Sequence, residues 1–365
     1  MKTATVIKRV LIGVLTALVL ACVIFCILYL SRFRSVSTIE KLTDYDDGYD
    51  LYSMTIEYDY DLDKVINSGY SNMQEFTDAV VREALPLLPV KIEVPSFGCS
   101  SFRTRTADGK VLMGRNYDFK LDTSSMMVIC KPKNGYRSIA FAALDNINAD
   151  DADSGIAKKL ACLTTPFVCL DGINEKGVSI AVLTLTSEPT MQETGKPKLA
   201  TSLLIRLVLD RAATTEEALQ LISQYDIFSS NGRDYHFVIN DASGNNVAVE
   251  FDCEDEERKT VVTPTDAITN FFVMYADKVL PKQTNGIYGK GKERYDAILD
   301  VLEKNAGSVS LETAWEALRA ASQDPNPEDV TSNTQWSVVF DNTDCTAQIA
   351  LRRRWEDKFL FSMEG

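Results

Sequence analysis

Histidine is all but missing from this chain: His236 is the only one in 365 residues. A metal site built on two histidines is therefore excluded, and any triad that needs an imidazole would have to use this residue. Paired cysteines are missing too. The eight cysteines stand singly, with no CxxC anywhere, and two of them (Cys22, Cys26) sit in an apolar N-terminal run. The other six, Cys99, Cys130, Cys162, Cys169, Cys253 and Cys345, show neither metal-ligand spacing nor the density of a disulfide framework. Basic charge is also short. With 38 Lys and Arg against 52 Asp and Glu, the formal net charge is −14. Nothing supplies the basic face that phosphate binding needs, which excludes a nucleic-acid partner and disfavours docking on an anionic membrane surface. No internal repeat is present.

What is present has the composition of a globular protein, with 45% hydrophobic and 25% charged residues. Lys2, Lys8 and Arg9 precede an uncharged run from Val10 to Leu30, followed by Arg32 and Arg34. About 20 apolar residues span a bilayer core as a helix, and this run is longer than a signal-peptide core. The expected organisation is a short tail (1–9), a transmembrane anchor (10–30), an acidic linker with a helical pro-segment (31–98) and a catalytic domain (99–365). Val19-Leu-Ala-Cys22 has the look of a lipoprotein cleavage site, but Val23 to Leu30 stay apolar, against that reading. Basic residues flank both ends of the run about equally, so charge alone does not orient it. The short N-terminus is expected inside and everything after Arg34 outside, giving a single-pass cell-membrane protein.

Between Thr43 and Leu62 the chain is dense in Asp and Tyr, and its first half reads as a solvated linker. Residues 72–85 read as a helix with a capping box at Ser71/Gln74 or Asn72/Glu75, stopped by Pro86 and Pro89. Two further helices are expected within 200–225, then one at 292–303 and one at 311–322. Strands are expected at 101–105, 111–116, 178–186, 236–240, 246–251, 268–274, 336–341 and 347–352. Strands in antiparallel runs with helices grouped between them favour an α+β layered fold.

The chemistry concentrates in Gly98-Cys-Ser-Ser-Phe-Arg-Thr-Arg-Thr-Ala-Asp-Gly-Lys-Val-Leu-Met-Gly-Arg-Asn-Tyr-Asp118. Asp108-Gly109 is a preferred two-residue hairpin turn, which would place Cys99 opposite Asp118. Arg115 would then fall on the other face and reach Cys99 only past a bulge, while a longer loop would shift the register. A guanidinium beside a thiol favours the thiolate. The missing base can be supplied by cutting the chain after Gly98. Cys99 would then carry an α-amine titrating near 7.7–8.0 beside its own thiol. The same residues also fit a plain hairpin with an incidental buried cysteine and a surface ion pair.

Gly98-Cys-Ser-Ser-Phe, Asp108-Gly, and Gly114-Arg-Asn-Tyr-Asp-Phe119 together resemble the choloylglycine hydrolase family of linear-amide hydrolases. The family includes bile salt hydrolases, penicillin V acylases and acid ceramidase-like amidases. The resemblance continues through Asp171-Gly-Ile-Asn-Glu-Lys-Gly177, the helix pair near Leu203–Leu221, Tyr235–Gly244 and Thr334-Gln-Trp-Ser337. It implies a four-layer αββα N-terminal-nucleophile fold with Cys99 as nucleophile, Arg115 and Asp118 beside it, and no metal or organic cofactor. By the same resemblance Asn270 is an oxyanion donor and Arg294 a further arginine of the site. On their own, Asn270 reads as a turn former and Arg294 as a solvated helix residue. Thr184 falls where bile salt hydrolases carry a second oxyanion asparagine, which weakens any specific claim for bile salts. The interval from Asn270 to Arg294 is shorter than in those enzymes.

Bile salt hydrolases begin essentially at the nucleophile, whereas 98 residues precede Cys99 here. That arrangement resembles the acid ceramidase type, in which a pro-segment is cut off by the enzyme itself and can stay bound as a small subunit. The expected activity is hydrolysis of linear amides of the N-acyl amino acid, N-acyl amine or conjugated bile acid type. Three other readings fit the same residues: an acyltransferase on the same site, a membrane-anchored binding protein with an uncut, inert Cys99, and a thiol hydrolase pairing Cys99 with His236. Acyl group, leaving amine and oligomeric state are not written in the sequence.

Overall fold

The computed structural model describes residues 2–87, 98–119, 121–229, 232–283, 286–326, 328–329 and 332–363. Two sheets pack face to face. In the smaller one, Gly98–Arg105 and Val111–Asp118 form the hairpin, flanked by Ala267–Ile268 on one side. On the other side lie Thr334–Asp341, Thr346–Leu351 and Phe359–Ser362, all antiparallel. The larger sheet has nine strands among the described residues, from Glu40–Lys41 at one edge to Thr260–Pro264 at the other. Helices Lys292–Lys304 and Leu311–Ala320 cover the smaller sheet, and Thr201–Arg211 packs on the larger one. This is the expected four-layer α+β arrangement.

Every residue of Val111–Asp118, Ser125–Cys130, Ser138–Ala143 and Ser179–Leu185 is buried. Strands covered on both faces lose the in–out alternation of a half-exposed sheet. Ser125–Cys130 and Ser138–Ala143 were not among the expected strands.

The helix after the linker is Met73–Ala84, with the Asn72 side chain accepting from the Glu75 N–H at 3.0 Å. Phe76, Ala79, Val80 and Ala84 form its buried face, and Pro89 lies outside the described residues. The 200–225 block is indeed two helices, Thr201–Arg211 and Thr215–Ile222. The strand expected at 268–274 is not one: only Ala267–Ile268 pairs with the hairpin, Phe271 makes an isolated bridge to Gly289, and Val273–Tyr275 is a 3₁₀ turn. Its apolar run has strand composition, but the Glu250 carboxylate accepts the N–H groups of Val273 and Met274 at 2.7 Å each, capping a helical turn.

Within the acidic stretch, Asp44, Asp46 and Asp47 are exposed, whereas Leu51–Ile56 is a strand of the larger sheet. It runs parallel to Ser125–Cys130, from Leu51 beside Ser125 to Ile56 beside Cys130. Upstream, helix Lys2–Ser37 carries a segment long and apolar enough to cross a membrane, a property that a signal sequence near the N-terminus shares. Its last turns are bound to the folded body. Arg32 donates to the carbonyls of Ala84 (2.7 Å) and Glu83 (2.6 Å), the Tyr29 hydroxyl donates to the Pro86 carbonyl, and the Glu57 N–H donates to Ser35 Oγ at 2.7 Å.

Candidate active site

The hairpin register decides which side chains meet Cys99. The turn is one residue longer than Asp108-Gly109 alone. The Thr106 N–H reaches the Lys110 carbonyl at 2.9 Å, leaving Ala107, Asp108 and Gly109 as the loop. Gly109 takes the left-handed conformation (φ +95°) that closes such three-residue loops. The register therefore pairs Gly98 with Asp118, Cys99 with Tyr117 and Ser101 with Arg115. This corrects the expected Cys99–Asp118 pairing and removes the need for a bulge. Cys99, Tyr117 and Arg115 now share one face, since side chains of paired antiparallel residues point the same way.

Arg115 Nη2 donates to Cys99 Sγ at 3.2 Å and to the Val182 carbonyl at 3.1 Å. Its Nε lies 2.7 Å from Asp171 Oδ2, with both side chains fully buried. The Trp336 indole N–H donates to the same Asp171 oxygen at 3.1 Å. The guanidinium also stacks over the rings of Tyr117 and Trp336, at 5.3 and 5.9 Å from their centroids. Burial pushes the Asp171 carboxyl up to about 6 against the pull of Arg115 and the indole. Burial likewise pushes the Cys99 thiol up to about 12; Arg115 opposes this, and the nearby Asp118 carboxylate adds to it.

Two more residues grip the Cys99 backbone. Its N–H donates to Asn270 Oδ1 at 3.1 Å, and its carbonyl accepts from Arg294 Nη1 at 2.8 Å. Arg294 Nη2 also donates to Asn270 Oδ1 at 2.7 Å, and Nη1 lies 3.3 Å from Asp118 Oδ2. Arg294 stands in the first turn of its helix, behind Gly291. Gly291 has φ +101°, and a Cβ there would meet Arg294 Nη2 at 2.6 Å, so glycine is required by both backbone and space. Asp118 is completed by Thr334 Oγ1 (2.6 Å) and Gln323 Nε2 (3.0 Å); burial raises its pKa and Arg294 lowers it.

Asn270 Nδ2 donates to the Thr184 carbonyl at 2.7 Å, leaving its second N–H for another acceptor. The Thr184 hydroxyl is buried and has no hydrogen-bond partner among the described residues. Cys99, Arg115, Asp118, Asn270, Arg294 and Thr184 thus lie together. His236 does not join them: its Nδ1 faces Glu250 and its Nε2 faces the Thr269 carbonyl. It is not placed as a base for Cys99. Asp171, Trp336, Gln323 and Thr334 carry no signal in the sequence that marks them as site residues, although three of them lie in the family motifs. Among the described residues, no group of three or more His, Cys, Asp or Glu side chains is placed to hold a metal ion.

A model of the linear amide C–N hydrolases, choloylglycine hydrolase family, matches residues 99–261. Over that span the chain is similar to the choloylglycine hydrolase family. Among solved structures, a variant of conjugated bile acid hydrolase from Clostridium perfringens superposes with a TM-score of 0.55 at 17% identity. It covers 73% of this chain and 93% of that one. Penicillin V acylase from Agrobacterium tumefaciens gives a TM-score of 0.53 at 17% identity, covering 73% and 86% of the two chains. Both carry the N-terminal-nucleophile fold found here. No curated protein matches. The family match begins at Cys99, the residue on which the Arg115, Asn270 and Arg294 contacts converge.

Proposed function

We propose that the chain is a membrane-anchored amidase in which Cys99, freed as a new N-terminus by cleavage after Gly98, is the nucleophile. The observation that carries this reading is the convergence on one residue: Arg115 on the Cys99 thiol, Asn270 on its N–H and Arg294 on its carbonyl. In the uncut chain the Cys99 sulfur adds to the Gly98 carbonyl, the C–N bond breaks to give a thioester and a free α-amine, and water releases Gly98 as an acid. In turnover the α-amine takes the thiol proton, and the thiolate attacks the substrate amide carbonyl. Asn270 Nδ2 faces the developing oxyanion. The proton passes to the leaving amine, and water, deprotonated by the same α-amine, hydrolyses the thioester. Arg115 favours the thiolate, Asn270 and Arg294 hold the Cys99 backbone, Asp118 pairs with Arg294, and Thr184 is an oxyanion or substrate-pocket residue. Substrates are N-acyl amino acids, N-acyl amines or conjugated bile acids, met outside the cell membrane.

Intact mass and N-terminal sequencing of the purified protein test this. A fragment beginning at Cys99 is expected, with kcat/KM rising as the α-amine loses its proton near pH 8. A chain that stays whole removes the base and the reading with it.

We infer further that the N-terminal piece stays bound after the cut. Leu51, Tyr52, Met54, Ile56, Tyr58 and Phe76 are all nearly fully buried, and each such side chain contributes about 1.5–3 kcal/mol. The Tyr60 hydroxyl also donates to Asp210, which pairs with buried Arg206 at 2.8 Å. Two bands on a denaturing gel should elute as one species in mild detergent; separation of the pieces there would overturn this.

A further inference from the structure

His236 and Glu250 sit on adjacent antiparallel strands, next to the Phe237–Val249 pair, and both are fully buried. His236 Nδ1 lies 2.9 Å from Glu250 Oε1, and Nε2 lies 2.9 Å from the Thr269 carbonyl oxygen. A carbonyl oxygen only accepts, so Nε2 carries a proton and donates it. The Glu250 carboxylate in turn accepts from the N–H groups of Val273 and Met274. The two side chains therefore hold both ends of Thr269–Met274, and Asn270 lies between the two grips.

Pairing with the hairpin does not extend along this stretch, which makes one isolated bridge, Phe271 to Gly289. The strand partnered with the hairpin ends at Ile268, opposite Ser101. Beyond it the backbone meets the glycine-rich turn ahead of the Arg294 helix. There the Lys290 N–H donates to the Asn270 carbonyl at 2.8 Å, and Thr269 Oγ1 donates to the Gly291 carbonyl at 2.9 Å. Leaving the sheet frees the carbonyl of buried Thr269 and the N–H groups of half-buried Val273 and Met274, and a buried group left unpaired costs about 1–3 kcal/mol. His236 and Glu250 satisfy all three with a single backbone arrangement. That arrangement aims Asn270 at Cys99 and, through Gly291, sets the start of the helix that carries Arg294.

We propose that His236 and Glu250 are positioning residues for the amidase reaction, a clamp that holds Asn270 in its productive orientation. The proposal rests on the amidase reading. It gives the chain's one histidine a task away from the proton transfers. The clamp acts on transition-state geometry, so it bears on kcat and on the rate of self-cleavage more than on KM.

Full-length wild type, Asn270→Ala, His236→Ala and His236→Gln are compared in detergent. Two quantities are read: the rate of scission after Gly98, and kcat and KM with penicillin V and a glycine-conjugated bile acid as probes. Asn270→Ala and His236→Ala are each expected to lower kcat and the scission rate about 100-fold, with KM within about threefold. His236→Gln keeps an N–H directed at the Thr269 carbonyl and is expected to recover to within about tenfold of wild type. A folded His236→Ala protein with wild-type kcat and scission, beside an impaired Asn270→Ala, overturns the clamp and leaves the amidase intact. An unimpaired Asn270→Ala overturns the oxyanion role of Asn270 itself. Should His236→Ala fail to fold, His236→Gln decides, together with nuclear magnetic resonance of ¹⁵N-histidine-labelled wild type. The single imidazole is expected to show a slowly exchanging Nε2–H, and rapid exchange there sinks the proposal.

Discussion

Cys99→Ala is expected to give one full-length chain with no fragment beginning at residue 99, and amidase activity lower by on the order of 10⁴-fold or more. The substitution removes one sulfur from a fully buried strand position. The hairpin hydrogen bonds run through backbone and do not need it, so folding should survive at a cost of about 1–2 kcal/mol. What disappears is the sulfur that adds to the Gly98 carbonyl, and with it the α-amine that the cut would create. Scission and turnover fail together for one reason. Mass spectrometry of the variant beside wild type reads the first, and product release from an N-acyl probe reads the second. A variant still cut after Gly98 would assign the cutting to another protease and leave only the turnover half of the proposal.

Arg115→Met is expected to lower activity and stability together, and adding Asp171→Asn should restore only the stability. Both partners of the Arg115–Asp171 pair are fully buried. Removing the guanidinium strands a carboxylate away from water, which costs about 3–5 kcal/mol and lowers Tm by roughly 10 °C. The measurement belongs at pH 8. Burial raises the Asp171 carboxyl to about 6 even with Arg115 pulling it down, so losing the guanidinium raises it further, and proton uptake blunts the penalty as the pH falls. The sign comes from the same shift. The folded state binds this proton more tightly than the unfolded one, so the stability it contributes falls as pH rises from about 4 to about 6. Asp171→Asn in the double variant keeps an acceptor for the Trp336 indole and should bring Tm back to within a few degrees. Activity should stay down by about 10²-fold or more, because no cation then faces the Cys99 sulfur to favour the thiolate. A double variant that regains activity would make Arg115 a structural partner of Asp171 alone.

The hairpin was legible because Asp108-Gly109 marks its turn and Cys99, Arg115 and Asp118 fall on its arms. Its register was not, because a loop of two residues and one of three differ by the sign of φ at Asp108, positive only in the shorter loop, which the letters do not state. Asn270 and Arg294 were legible only through the family resemblance. Each owes its position to a distant partner: Cys99 for both of them, and for Asn270 also Thr184. Asp171 and Glu250 look like ordinary acidic residues until folding buries them against Arg115 and His236. Leu51–Ile56 is masked by flanking Asp and Glu, which suggest solvent on either side of a strand whose own residues are mostly buried.

That strand has one more consequence. It lies parallel to Ser125–Cys130, so the chain between them must cross over, and the proposed scission falls within that crossover. Before the cut, the strand finds its place as part of the same molecule, at the high local concentration that a tether provides. After the cut, unfolding releases two molecules that must meet again by diffusion. Maturation would therefore be a one-way commitment: the precursor can refold after denaturation, whereas the mature enzyme persists only as long as it does not open.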